Sequence, residues 1–349
     1  MIEHTKIRPF SVSNDLLDDP EALRERMRQD GYLFFRKALD RDYVLGLRNE
    51  ILRVLDRHGW LQSGTALEDG IADLTRACMA NDPAYAVVYR EIVRLEPFNR
   101  HPHTPAILRI MQLLVDEPVL PHPLTICRIM FPQNGIYTTP AHQDHAHVQG
   151  TTETYTCWTP LGDCPFELGP LAVYRGSHRA GLREHGFSVG AGGLAVDTEP
   201  LQESLVSSDF HAGDIVIFHS LVVHEALPNT TPDRFRLSID CRFQGVSQPI
   251  SERSFLPSGG RLTWDEIYAG WQSRDLQYYW QRYQLNVVGF DGSVYDRRDV
   301  HVIAEARRGN PLTRPHLIRI IERSPDAETA NAAREALQIL DEQLSHTGS

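Results

Sequence analysis

No pair of cysteines in this sequence stands in a Cys-x-x-Cys spacing, and the five present (Cys78, Cys127, Cys157, Cys164, Cys241) are odd in number and scattered. That argues against a zinc knuckle or a disulfide framework and for reduced thiols. No apolar run approaches the roughly 18 residues that a membrane span needs. The opening residues, Met1-Ile-Glu-His-Thr-Lys-Ile-Arg-Pro9, lack the apolar core of a secretory leader. A soluble, cytoplasmic protein with no membrane partner is the expectation. Blocks of Lys and Arg that track a phosphate backbone are missing too, and 35 basic residues against 46 acidic ones leave a formal charge of −11. Nucleic acid is therefore excluded as a partner. Charge of that sign steers, at most mildly, towards a neutral or cationic substrate.

What is present is ordinary globular composition, with 41% apolar and 23% charged residues in a chain of 349. The first hundred residues read as helical. Pro20 to Gly31 carries a first-turn proline and a terminal glycine, Tyr32–Phe35 reads as a short strand, and Asp42–His58 has helical apolar spacing before Gly59. From about Leu120 to Gly245 the texture changes to short β-branched and aromatic runs broken by turn residues. The candidate strands are Leu124–Phe131, Thr154–Pro160, Leu171–Tyr174, Asp214–Phe218 and Phe235–Phe243. Between Gly181 and Ser208 a glycine-rich stretch, Val189-Gly-Ala-Gly-Gly-Leu194, is either a mobile loop over a site or a surface insertion. Helical patterns return at Leu262–Arg274 and Leu276–Gln284, then at Leu312–Ile321 and Ala327–Leu344. The last pair reads as a single helical hairpin, a tail that packs on the core or on another subunit, which makes it a candidate homo-oligomer contact. The expected organisation is a domain over residues 1–300 and a helical C-terminal extension over 301–349.

The chemistry concentrates in Pro140-Ala-His142-Gln-Asp144-His-Ala-His147. On a strand, residues two apart share a side, so His142 and Asp144 can grip one ion. An imidazole and a carboxylate begin a two-His-one-carboxylate site, which leaves positions open on Fe(II). The third ligand comes from Gly213-Asp-Ile-Val-Ile-Phe-His219-Ser-Leu-Val-Val-His224, where His219 and His224 compete. The next strand opens with Arg234-Phe-Arg236-Leu-Ser. An arginine there suits a dicarboxylate, because its planar fork pairs with one carboxylate while the other end chelates metal. His145 and His147 read as surface residues or as the rim of a substrate mouth. His178, Asp214 and Glu225 read as structural, and Gln143 points away from the metal.

These segments resemble the phytanoyl-CoA dioxygenase family of Fe(II)/2-oxoglutarate oxygenases. The similarity runs from Asp30-Gly-Tyr-Leu-Phe-Phe35 through His-Gln-Asp, Cys157-Trp-Thr-Pro-Leu-Gly-Asp163 and Glu167-Leu-Gly-Pro-Leu-Ala-Val-Tyr-Arg-Gly-Ser-His178 to the His224 and Arg236 block, roughly residues 20 to 250. It implies a mainly β fold with flanking helices, built on a double-stranded β-helix (jelly-roll) core. Iron would be held by His142, Asp144 and His224. 2-Oxoglutarate would be anchored by Arg236, where the Phe-Arg-Leu-Ser context matches, with Arg234 left open, and Trp158 is either a cosubstrate neighbour or a core aromatic. The cofactors implied are Fe(II), 2-oxoglutarate and O2, with ascorbate a candidate stimulant. Relatives that chlorinate lack the metal carboxylate; Asp144 is present, so the resemblance implies hydroxylation of a small molecule, or desaturation, ring closure or epimerisation from the same hydrogen abstraction. Arg175 departs from the family's usual proline before Gly-Ser-His. Two alternatives remain at this point: a cupin-like binding module, and a zinc hydrolase or isomerase on the same ligands.

Overall fold

The computed structural model describes residues 7–80, 82–133, 138–257 and 262–347. Its centre is a pair of antiparallel sheets. The larger one runs in the order Tyr32–Phe35, Ile215–His219, Tyr155–Pro160, Arg236–Gly245, and the last of these, the longest strand, pairs on its far edge with both Val119–Pro121 and Ile126–Met130. The smaller sheet joins His224–Ala226, Leu171–Tyr174 and Leu205–Val206. A single bridge from His142 to His224 adds the metal-motif segment to its edge.

Alternation along the strands sorts two cores. Leu33, Phe35, Ile215, Ile217, Leu237, Ile239 and Phe243 face a layer of helices that includes Arg41–Arg57, Pro83–Ile92 and Pro105–Val115. Their neighbours in sequence, Tyr32, Phe34, Val216, Phe218 and Trp158, pack on Leu171 and Val173 of the smaller sheet. The long strand is the exception on that inner side: Arg236, Ser238, Asp240, Arg242 and Gln244 are all buried there. An apolar outer face and a polar inner face mark a sheet whose second side lines a site rather than a core.

Several elements form where the sequence places them. The first long helix is Pro20–Asp30, opened by Asp19 accepting from the Ala22 amide and ended by Gly31 at φ 77°. A side chain at Gly31 would meet Val222 at 2.3 Å, so glycine there serves both the left-handed turn and the close approach of the chain leading to His224. The strand expected over Phe235–Phe243 begins at Arg236 and runs to Gly245.

Other expectations need correction. Helix, at 44%, outweighs strand, at 18%, because the flanking helices are long and most strands span two to five residues. The helices expected over Leu262–Arg274 and Leu276–Gln284 shrink to Trp264–Tyr268 and one 3-10 turn, Tyr279–Arg282. Here Trp264, Tyr268, Trp271, Tyr278 and Trp280 pack against one another in tilted and edge-on ring contacts, and Tyr278 at φ 50° interrupts any continuous helix. The C-terminal region holds three helices rather than two, Ser293–Arg307, Arg314–Arg323 and Ala327–Thr347, sharing a cluster of Val302, Ala306, Leu317, Ile320, Ala336 and Leu340. The first of them crosses position 300. No described helix is long and apolar enough to cross a membrane.

The glycine-rich stretch is a packed hairpin. Gly186–Phe187 pairs with Leu194–Ala195, and its tip rests against the metal-motif segment, the Ala191 amide donating to the Thr138 carbonyl. Arg298 of the C-terminal helices donates to the Gly192 carbonyl on the same tip.

Candidate metal centre

His142, Asp144 and His224 converge, each offering one ligand atom within 4.8 Å of the others. Asp144 Oδ1 lies 3.6 Å from His142 Nε2 and 3.9 Å from His224 Nε2. The local geometry differs from a simple strand. His142 sits in the bridge to His224, whereas Asp144 has helical backbone angles and precedes the short helix His145–Val148. The pair shares a side because the chain turns between them. Nor does the third ligand end the buried strand: that strand closes on His219, and after a turn through Ser220 and Leu221 the chain enters the smaller sheet, which His224 opens.

Both imidazoles are preset. His142 Nδ1 lies 2.8 Å from the Pro140 carbonyl and His224 Nδ1 lies 3.1 Å from the Val222 carbonyl, so each ring donates through Nδ1 and keeps the Nε2 lone pair for a metal. Burial pushes the His224 imidazole down to about 3, and the neighbouring His142 adds to the effect, which keeps it neutral and ligating. Burial works against the charge on Asp144, but Arg242, His142 and His224 overcome it and hold the carboxyl well below its ordinary range. Arg242 Nη2 donates to Asp144 Oδ1 at 3.1 Å, and Thr156 Oγ1 donates to Oδ2 at 2.5 Å. One imidazole pair and one ionised carboxylate, buried and individually oriented, are the donor set that suits Fe(II).

A small cavity beside these ligands is lined by His142, His224, Trp158, Phe218, Glu225 and Arg236. Arg236 is 2% exposed and donates through Nη1 to Ser238 Oγ at 2.5 Å, while its buried Nε has no acceptor among the described residues. The Trp158 ring lies 5.8 Å from its guanidinium carbon. An unsatisfied, buried guanidinium donor in the cavity that contains the two candidate ligand imidazoles is matched by a small dicarboxylate. Arg234 is exposed, and its carbonyl accepts from Asn229.

The other candidates fall into place around this centre. Gln143 is fully buried and ties Gly181, Arg183 and Leu221 together, away from the metal. His219 packs against Tyr155 and His178 and touches no ligand. His178 binds the Arg28 carbonyl, Asp214 caps a turn by accepting from Lys37 and His211 amides, and Arg175 pairs with Asp30 at 2.8 Å. Glu225 lines the cavity, and burial raises its carboxyl, with Tyr174 Oη donating to it at 2.7 Å. His147 is half-buried: its ring meets His142 edge-on at 5.5 Å, and its Nδ1 lies 2.7 Å from Tyr295 Oη.

Three participants escaped the sequence reading. Arg242 and Thr156 fix Asp144, and Arg128 donates to Asp240 at 2.8 Å in the same polar interior. The alternation Arg236-x-Ser238-x-Asp240-x-Arg242-x-Gln244, set against Leu237, Ile239, Cys241 and Phe243, was the signal that could have found Arg242.

Comparison with known proteins gives the family of the chain. The family model for Phytanoyl-CoA dioxygenase (PhyH) matches residues 27–238. The 1-deoxypentalenic acid 11-beta-hydroxylase of Streptomyces exfoliatus is 30% identical over 253 residues, covering 69% of this chain and 85% of that protein. The human peroxisomal phytanoyl-CoA dioxygenase is 22% identical over 256 residues, covering 69% and 72%. Among solved structures, the epimerase SnoN from nogalamycin biosynthesis, in complex with Fe3+, alpha ketoglutarate and nogalamycin RO, aligns at 22% identity and TM-score 0.45, over 67% of this chain and 86% of that one. The chain belongs to the phytanoyl-CoA dioxygenase family and is an Fe(II)- and 2-oxoglutarate-dependent oxygenase.

Proposed function

We propose that this enzyme hydroxylates an unactivated C–H bond of a small natural product, with His142, Asp144 and His224 holding iron, Arg236 anchoring the distal carboxylate of 2-oxoglutarate, and Trp158 walling that cosubstrate. The orphaned Nε of Arg236, in the cavity beside His142 and His224, carries the reading. Iron with 2-oxoglutarate and O2 supplies the oxidising power, releasing succinate and CO2. The protein orients the ligands through Pro140, Val222, Arg242 and Thr156, excludes water with Phe218 and Leu171, and positions the substrate. Hydroxylation of a secondary metabolite accords with the Streptomyces relative, named for 1-deoxypentalenic acid.

The two facing sheets we read as a double-stranded β-helix. Residues 1–300 form the oxygenase domain, with the helical extension beginning inside Ser293–Arg307, and a second copy of the chain docking through those helices remains part of the proposal. Anaerobic titration with Fe(II) and then 2-oxoglutarate tests the site: the visible charge-transfer band of the chelate is expected in the wild type and lost in His224→Ala. Bound iron without that band would overturn the Arg236 assignment and favour a barrel that binds metal for another purpose.

A further inference from the structure

A second, larger cavity of about 310 Å³ adjoins the first, and the two share Arg128, Thr139 and Arg236 in their walls. Helix Pro83–Ile92 forms one side and strand Ile126–Met130 another. Helix Arg314–Arg323, which lies beyond the segment matched to the family, closes the third through Ile318 and Arg319. Its size suits a molecule of drug-like dimensions, and Val87, Ile126, Met130 and Ile318 give it apolar surface.

Its charge runs against that of the chain. Five arginines, Arg90, Arg128, Arg236, Arg319 and Arg323, line it against two acids, Asp82 and Glu322. Arg128 is committed to Asp240. Arg319 shares a single carboxylate with Arg298: both donate to Asp299 Oδ1, at 2.8 and 2.9 Å, leaving one anion for two cations. Arg319 Nε and Arg90 Nε are buried with no acceptor among the described residues, and both side chains line the chamber. Burial, with Arg298 beside it, pushes the Arg319 guanidinium down to about 10, so it stays charged, with only its share of Asp299 to offset it. Two guanidinium Nε donors without acceptors, in side chains lining one chamber, call for an anionic acceptor there.

We infer that this chamber is the substrate site of the oxygenase proposed above, that the C-terminal helix Arg314–Arg323 completes it, and that Arg90 and Arg319 clamp the carboxylate of a largely apolar acid. A monocarboxylate balances the single excess positive charge of the Arg298, Arg319 and Asp299 group, which a phosphate dianion would overshoot. The net charge of −11 pointed the other way, towards neutral or cationic substrates, because net charge averages over the whole surface, of which this wall is a small part.

The test is calorimetric titration of the anaerobic Fe(II)/2-oxoglutarate-loaded enzyme with decanoate and adamantane-1-carboxylate, each beside its matching alcohol and phosphate monoester. At least one acid is expected to bind tenfold or more tighter than its alcohol. Arg319→Gln and Arg90→Gln should each erase that preference while leaving alcohol affinity and the 2-oxoglutarate band in place, and Arg319→Lys should restore part of it. If Arg319→Gln fails to fold for want of its Asp299 contact, Arg90→Gln, on a different helix, carries the same test. Equal binding of acid and alcohol, an unchanged preference in the folded variants, or tighter binding of the phosphate would overturn the inference. Heat of binding does not depend on the charge-transfer band, so a missing band would count against the iron-site reading alone.

Discussion

Arg242 and Asp144 form a buried ion pair at the metal centre, 3.1 Å apart and almost fully enclosed, at 3% and 1% side-chain exposure. The guanidinium compensates the carboxylate when no metal is bound. Replacing Arg242 by methionine leaves a buried charge unpaired, a loss of ~3–5 kcal/mol in comparable cases. The metal-free Arg242→Met protein should lose stability on that scale in urea titration. Anaerobic Fe(II) should recover most of the loss, since the ion replaces the missing charge. Equal losses with and without metal would remove Arg242 from the metal centre and make it a packing residue.

If the proposed centre holds iron, its occupancy depends on the two preset imidazoles. His142→Ala and His224→Ala should each bind no stoichiometric Fe(II) under anaerobic dialysis and turn over at background rate, with melting temperatures near the wild type of the metal-free protein. Full activity in His142→Ala would show that the centre lies elsewhere.

Arg236 offers a planar fork and Ser238 holds it in place. Loss of a charge-assisted contact of this kind costs about 1.5–3 kcal/mol, equivalent to roughly 10- to 100-fold in affinity. Arg236→Ala should therefore raise the 2-oxoglutarate concentration for half-maximal turnover by that factor, with Arg236→Lys falling between because it cannot reproduce the fork. Fe(II) affinity measured without cosubstrate should stay unchanged in both variants.

Acid should weaken the fold well above the carboxylate range. His101, between Tyr43 and Thr159, and His122, beside Gln244, are buried, and burial pushes both imidazoles down to about 4. In the unfolded chain they protonate near ~6.5. The unfolded state then binds more protons between those values, so their contribution is present above 6.5 and is lost as pH falls towards 4. At pH 5 each accounts for about 2 kcal/mol. The urea midpoint should drop between pH 7 and pH 5, and His101→Gln should flatten that dependence. A midpoint independent of pH over this interval would contradict the assignment.

Much of the centre was legible because its chemistry is local in sequence. His142 and Asp144 lie two residues apart, and Arg236 follows His224 across one turn. The reasoning that paired His142 with Asp144 was nevertheless borrowed from a regular strand, whereas the backbone turns helical at Asp144, and spacing alone does not distinguish these. Arg242 was missed because its partner lies 98 residues away, although its place in an alternating polar row was visible. The aromatic run from Trp264 to Tyr283 looked helical by composition, and side-chain packing overrode that local pattern. His147 shows the same limit: its hydrogen-bond partner Tyr295 is 148 residues distant, on a C-terminal helix that the local motif does not reveal.

The strand Arg236–Gly245 is a ribbon with two unlike edges of meaning: one side is oily ballast for the helices, and the other carries the wiring of the metal centre. Because the sides alternate residue by residue, its length is more tightly constrained than any one identity in it. Deleting a single residue between Leu237 and Cys241 would swap the sides beyond the cut, pressing Arg242 into the helical layer and presenting Cys241 and Phe243 to the metal. Substitutions along this strand are graded injuries, whereas a frame change of one amino acid would disable folding and chemistry together.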